Sequence, residues 1–327
     1  MIAARLFGFG KPEDVLRVED VPVPEPAPGE FAVQMLLATV NPADLNIIEG
    51  KYGELPELPA VIGNEGVGRV AALGPGVEGF SVGDLVLPMR RGTWAQTMLT
   101  RATDAVRLPA EIDPAQAAML SVNPPSAAAM LSDFVPLQPG DWVVQNAANS
   151  AVGRSVIQIA RARGWKTLNV VRRPELVGEL QTLGGDVVVM EDVDLRSEVK
   201  TLCGPARPRL ALNAVGGASA LNLANALGDG GTLVTYGAMG RQPLKIPNGL
   251  LIFRRLVFCG FWLKSWREET PRSRQDAVMA ELAALSVAGG LHMPVHRVFP
   301  LAEVVAAVAE AAGEKRAGKV LLDLRGA

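Results

Sequence analysis

Three short stretches of the sequence carry residues able to do chemistry. The first is NAANSAVG, residues 146–153, set between the apolar run DWVVQ and a helix-patterned run that begins near Val152. Strand, turn and helix in that order form the context of a dinucleotide loop, where free amides and the dipole of a helix N-terminus hold a pyrophosphate. Of the usual three glycines only Gly153 is present, but Asn149, Ser150, Ala151 and Val152 leave the backbone approachable. The second stretch is TLNVVRR, whose Arg172 and Arg173 stand where an NAD enzyme carries an acidic residue for the ribose hydroxyl. Two guanidinium groups suit a 2′-phosphate, so the expected cofactor is NADPH; the other reading is a pair of solvated surface arginines. The third stretch is GKYGELPELP. Its Tyr52 brings a phenol, a group that is protonated at neutral pH and can act as an acid, or it is an ordinary loop or interface aromatic.

The elements around these stretches fall into two patterns. Residues 1 to about 110 hold short β-prone runs punctuated by turn signals such as PEPAPGE and GPGVEGFSVGD, and FAVQMLLATV alternates as a half-buried strand does. This reads as a β-rich, barrel-like domain. At DPAQ a helix start is expected, with Asp113 as cap, Pro114 at the first helical position and Gln116 closing a capping box. From Asp141 to about Trp266 six apolar runs alternate with amphipathic helices: DWVVQ, TLNVV, DVVVM, RPRLALNAV, TLVTYG and LVFCGF. Right-handed crossovers then give an α/β fold with a doubly wound parallel sheet. The tail, LAEVVAAVAEAAGEKRAGKVLLDL, reads as a helix and a strand returning to the first domain.

Composition excludes several classes. A chain of 327 residues exceeds the size of a single growing core, so two domains are expected. With 32 basic against 34 acidic residues and no basic block, nucleic acid is not a partner. No apolar run reaches the roughly 18 residues of a membrane span, and MIAARLFGFG lacks the order of a signal peptide; a soluble, cytoplasmic protein is expected. Cys203 and Cys259 alone cannot build a structural zinc lobe or a disulfide framework. His292 and His296 sit four apart, but Met293-Pro294 between them argues against a shared helix face, and no metal is expected.

The combination of NPADLNIIEGKYGELPELPAVIGNEGVG, GTWA, VNPPSA, QNAANSAVG, NVVRR, LNAVGG, TYGAMG and CGFWLKSW resembles the medium-chain dehydrogenase/reductase superfamily over nearly the whole chain. Within it the chain is similar to the zinc-free 2-enoyl thioester reductases of the mitochondrial trans-2-enoyl-CoA reductase group. Asn41 and Asn64 stand in the segment where zinc relatives hold their metal, and neutral amides are poor substitutes for thiolate or imidazole. The resemblance implies a Rossmann domain over residues 120–266 and a GroES-like barrel domain over residues 1–119 and 267–327. It implies that Tyr52 is catalytic. It also implies that Asn123, Asn149, Ser150, Ala151, Val152, Gly153, Arg172, Arg173, Pro174, Tyr236, Gly237, Ala238, Met239, Phe261, Trp262, Leu263 and Lys319 bind NADPH.

The activity so implied is NADPH-dependent reduction of the trans-2 double bond of an enoyl thioester carried by CoA or acyl carrier protein, in a homodimer. A zinc-free NADPH:quinone or enone reductase is the competing reading, and a non-catalytic cofactor-binding protein is a third. Softer candidates are Asp44 and Asn46, which either order the substrate side of the nicotinamide or cap the ADLNIIEG helix, and Trp94, which either walls an acyl pocket or packs the core. Arg254, Arg255, Lys264 and Arg267 either receive carrier phosphates or are solvated surface charge.

Overall fold

The structure, a computed structural model, describes residues 1–313 and 316–326. Two compact units form, one from Met1–Val122 with Met279–Ala327 and one from Asn123–Val278. In chain order the strands are β1 (Ile2–Leu6), β2 (Leu16–Asp20), β3 (Glu30–Thr39), β4 (Ala60–Val61), β5 (Gly66–Leu73), β6 (Leu85–Pro88), β7 (Thr97–Arg101) and β8 (Ala105–Arg107). The second unit supplies β9 (Trp142–Gln145), β10 (Lys166–Val171), β11 (Val187–Met190), β12 (Leu210–Asn213), β13 (Thr232–Thr235) and β14 (Val257–Gly260). The chain then returns to the first unit with β15 (Val295–Pro300) and β16 (Lys319–Asp323).

In the first unit β3 is the organising strand. Val33 and Met35 are wholly buried, and its ten residues are long enough to pair with β5, β7 and β16. The sheet runs β15-β16-β3-β5-β6-β8 with β7 also on β3, while β2-β1-β4 forms a separate three-stranded sheet. The expected β-rich unit is present, and among the described residues no pairing closes its strands into a barrel. β1 spends its edges on β2 and β4 and meets the Ala95 segment through the single bridge Ala3–Ala95. The tail does return to this unit, since β16 lies antiparallel to β3 with Leu321 opposite Thr39.

The second unit is a six-stranded parallel sheet in the order β11-β10-β9-β12-β13-β14. Val143, Val144, Leu168, Leu210, Leu212 and Val234 are fully buried, as strands covered on both faces must be. Order reverses between β9 and β12, the crevice where doubly wound sheets bind ligands.

Two local expectations need correction. The units part at Val122/Asn123 and Val278/Met279 rather than at 119/120 and 266/267. Asp133, at the end of the Asn123–Asp133 helix, explains the later boundary: its carboxylate accepts the Trp266 indole N–H at 2.7 Å and the Arg274 guanidinium at 3.2 Å. At DPAQ, Asp113 does cap a short Pro114–Ala117 helix by accepting the Ala115 N–H at 2.6 Å. Gln116 makes no capping box. Its amide instead exchanges two bonds with the Met293 backbone, at 3.0 and 2.8 Å.

Candidate active site

The segment that carries Asn41 and Asn64 folds around a buried polar cluster. Asn41 sits just before the Pro42–Ile48 helix, and its side-chain amide donates to Thr39 Oγ1 at 2.7 Å and to Glu65 Oε2 at 2.9 Å. Its oxygen accepts from the Lys319 ammonium, delivered by β16. Glu65 also accepts the Thr39 hydroxyl at 3.0 Å and the Val122 N–H at 2.7 Å. Asn64 donates to Asp44 Oδ1 at 2.6 Å and accepts from Arg91 Nε at 3.2 Å. Both asparagines are thus engaged within the protein. Among the described residues no group of three His, Cys, Asp or Glu is placed to hold a metal ion, and His296 is paired to Glu310 at 2.7 Å.

Burial sets the charge balance of this cluster. Asp44 has no exposed surface, and desolvation lifts its carboxyl to about 7 against the pull of the Asn41 N–H, Lys319 and Asn64. Desolvation likewise lowers Lys319, opposed by Glu65 and Asp44. A lone buried ammonium is costly, so carboxylates and amide oxygens gather around it.

The substrate-side candidates divide. Asp44 is the third residue of the Pro42–Ile48 helix and accepts the Asn41 N–H at 2.7 Å, so capping is what its side chain does. Asn46 is exposed on the same helix, and its carbonyl accepts the Lys51 N–H at 2.7 Å, which starts the loop bearing Tyr52. Trp94 is wholly buried with its indole N–H on the Thr39 carbonyl at 3.0 Å; it packs the core and has no free face to wall a pocket. Gly63 is shaped by that indole: at φ +102° a Cβ there would lie 2.2 Å from the Trp94 ring. Tyr52 is half-buried in the irregular run after the helix, its ring packed against the core and 5.6 Å from the Arg91 guanidinium.

In the second unit the expected cofactor residues follow the carboxyl ends of parallel strands. Asn149 to Gly153 follow β9, Arg172 to Pro174 follow β10, Tyr236 to Met239 follow β13, and Phe261 to Leu263 follow β14. Asn123 is buried at the start of its helix in the same unit. Lys319 is the exception, lying in the first unit with its ammonium on Asn41. Ser150 caps the Ala151–Ala162 helix by accepting the Gly153 N–H at 3.1 Å, leaving first-turn amides without intrahelical acceptors. Gly153 is required by contact, since a Cβ there would meet the Ala148 carbonyl oxygen at 2.5 Å. The Tyr236 hydroxyl is buried beside Ser150 with no well-formed hydrogen bond, and burial raises its phenol further. An orphaned hydroxyl, open amides and two arginines at one sheet edge fit a phosphorylated dinucleotide.

Sequence reasoning missed what replaces the absent glycines. Arg154 Nε donates to the Asn149 carbonyl at 3.1 Å while its other arm holds Glu179, and Asn146 bonds Asn213 at 2.9 Å and the Ala214 N–H at 2.7 Å. Arg91 was also missed. Of the basic residues near CGFWLKSW, Arg254 is tied to Asp229 at 3.0 Å and Lys264 to Glu268 at 2.6 Å, both in exposed pairs.

Residues 27–110 match the alcohol dehydrogenase GroES-like domain family and residues 151–279 the zinc-binding dehydrogenase family. The human mitochondrial enoyl-[acyl-carrier-protein] reductase is 41% identical over 94% of this chain and 84% of its own length. The chain belongs to the enoyl thioester reductase group of the medium-chain dehydrogenases/reductases. Two solved structures are similar to this enoyl thioester reductase relative over 98% of its length at 30% identity. One is the Etr1p complex with NADP and crotonyl-CoA, with 99% of that chain covered and a TM-score of 0.90. The other is a protein described as an NADPH:quinone reductase from Bacillus thuringiensis, with 98% covered and a TM-score of 0.91. The expected cytoplasmic location does not stand. Relatives from human, frog and plant are all named as mitochondrial, and the look of the first residues carries no weight against them. No helix among the described residues is long and apolar enough to cross a membrane.

Two outcomes test this site. The native state binds the Asp44 proton more tightly than the unfolded chain between the ordinary value of 3.8 and about 7. Stability from this residue is therefore full below about pH 4 and is lost as pH rises through about 7. The unfolding free energy of the wild type minus that of Asp44→Asn, measured in denaturant from about pH 5 to about pH 8, should fall as pH rises; a flat difference removes the raised carboxyl. For the arginine pair, Arg172→Ala with Arg173→Ala should raise the KM for NADPH roughly 10- to 100-fold, the scale of lost charge-assisted bonds, and leave that for NADH nearly unchanged. Equal shifts for both cofactors would return the pair to solvated surface charge.

Proposed function

We propose that the protein reduces the trans-2 double bond of enoyl thioesters with NADPH, with Tyr52 as proton donor. The observation that carries this reading is the state of Asn41 and Asn64: both are bonded into a cluster of Lys319, Glu65, Asp44 and Arg91, while the Tyr52 phenol stands half-buried beside it. Reducing a ketone leaves an alkoxide, a strong base that a Lewis acid stabilises directly. Conjugate reduction leaves an enolate, whose spread charge hydrogen-bond donors can hold. NADPH, when bound, supplies the hydride for the β-carbon of the unsaturated thioester. Tyr52 donates to the enolate oxygen or delivers the proton to the α-carbon. Arg172 and Arg173 select the phosphorylated cofactor, and the first-turn amides beyond Ser150 receive its pyrophosphate. Support comes from the human relative's name and from the structural neighbour that holds NADP and crotonyl-CoA.

The quinone reductase of similar fold keeps a second reading in play. Against it stands the phenol: a quinone needs no proton delivered to carbon. The same assay separates CoA from acyl carrier protein as the carrier of the thioester.

The chain, in this reading, works as a homodimer. Edge strand β14 exposes Val257 at 50%, and the preceding segment exposes Ile252 at 65% and Phe253 at 81%. An unpaired strand edge beside exposed aliphatic and aromatic side chains is the kind of surface a second copy covers.

NADPH oxidation with crotonyl-CoA, a medium-chain trans-2-enoyl-CoA, the matching enoyl-acyl carrier protein and a simple quinone should favour the thioesters. Tyr52→Phe should then lower kcat by roughly 100-fold or more, the range of a lost general acid, with the KM for NADPH little changed. Quinone-only turnover, or full turnover without the phenol, rejects the proposal. Light scattering at micromolar concentration should give twice the chain mass of 34.5 kDa; the single-chain mass rejects the dimer.

A further inference from the structure

A proton donor on an irregular loop is only as useful as its placement. Tyr52 lies in the run between the Pro42–Ile48 helix and β4, with Gly50, Gly53, Pro56 and Pro59 around it and no ladder to fix it. Arg91 comes from a better-anchored stretch. The residues that follow it bond to the backbone before Asn64: Gly92 N–H to the Gly63 carbonyl at 2.9 Å and Trp94 N–H to the Ile62 carbonyl at 2.9 Å. Trp94 itself is locked in the core.

From that anchor the guanidinium reaches in three directions. Nε donates to Asn64 Oδ1 at 3.2 Å, Nη1 donates to the Glu54 carbonyl at 3.1 Å, and Nη2 lies 3.6 Å from the Glu54 carboxylate. Its carbon stands 5.6 Å from the centre of the Tyr52 ring, within the range of a cation–π contact. The Asn64 amide has one workable orientation, because the guanidinium of Arg91 can only donate, so the amide oxygen faces it and the nitrogen faces Asp44. Only a planar fork can serve Asn64 along one edge and Glu54 along another. Side-chain exposure of 30% keeps the charge solvated enough to be carried without a fully buried partner.

We infer that Arg91 is the positioning residue for Tyr52, clamping the loop that bears the phenol through Asn64 to the buried Asp44. This rests on the reading of Tyr52 as proton donor, and the two can fail separately.

The test is a double-mutant cycle on the purified enzyme with NADPH and the preferred enoyl thioester. Arg91→Ala should lower kcat by about tenfold or more, as a misplaced reacting group does, while the KM for NADPH stays within about twofold. Arg91→Lys, which keeps charge and stem but loses the fork, should recover part of that loss. In the Tyr52→Phe background Arg91→Ala should cost less than about twofold, since no proton donor is left to position. Equal losses in both backgrounds, or no loss in the wild type, overturn the role of Arg91 while leaving Tyr52 in place. Full turnover by Tyr52→Phe alone overturns Tyr52 first and Arg91 with it. Should Arg91→Ala not fold, Arg91→Met, which keeps an unbranched apolar stem but loses both charge and fork, completes the same cycle with the same criteria.

Discussion

A lysine ammonium buried among polar side chains constrains the first unit more than any other contact in it. Lys319 meets Asn41 and feels Glu65 and Asp44, and these four come from β16, the end of β3, the start of a helix and the run before β5. A buried charge whose partner is removed costs several kcal/mol, so these segments must assemble in one register or not at all. Leu321 opposite Thr39 is the backbone side of that constraint. The Tyr52 loop leaves directly from the helix that the cluster caps, so the order of the cluster extends to the foot of the loop.

The second unit meets a different demand by different means. An anion site at a helix N-terminus needs a tight approach of backbone, commonly granted by glycines. Here the turn keeps Gly153 where the Ala148 carbonyl leaves no room for a side chain, and uses Gln145, Asn146 and Arg154 to hold the rest. Gln145 bonds the Gly153 carbonyl at 2.9 Å and Asn169 at 2.8 Å. A rigid loop can thus be built from buried amides and one guanidinium, which leaves the helix N-terminus open for phosphate.

What could be read in the sequence was what is local. Strands β9 to β14 stand out as apolar runs because both faces of a parallel sheet are covered, and Arg172 and Arg173 follow β10 by simple counting. The pairing order of the β-rich unit could not be read, because β16 meets β3 across some of the longest separations in the chain and β1 pairs outside the main sheet. Gln116 fits a capping box by spacing, yet the Met293 backbone competes for its amide and wins with two bonds. Arg91 carried no signal at all. Its partners Asn64 and Glu54 are 27 and 37 residues away, and nothing in GTWA or its neighbours marks the arginine before it.

The buried cluster also bears on which reaction the site suits. The charge of Lys319 is compensated within the fold: Asn41 takes its hydrogen bond, and Glu65 and Asp44 lie close enough to favour its charged form. An ammonium so engaged is no Lewis acid for a developing alkoxide. Of the groups beside it, the Arg91 guanidinium is already given to Asn64 and Glu54, and the half-buried Tyr52 phenol is the donor that suits a weakly basic, delocalised oxygen rather than a strong base. Asparagine at positions 41 and 64 therefore does more than leave out metal ligands. Each amide offers both a donor and an acceptor, and that duality lets Asn41 link Glu65 to Lys319 and Asn64 link Asp44 to Arg91, where a ligand of one polarity could do neither.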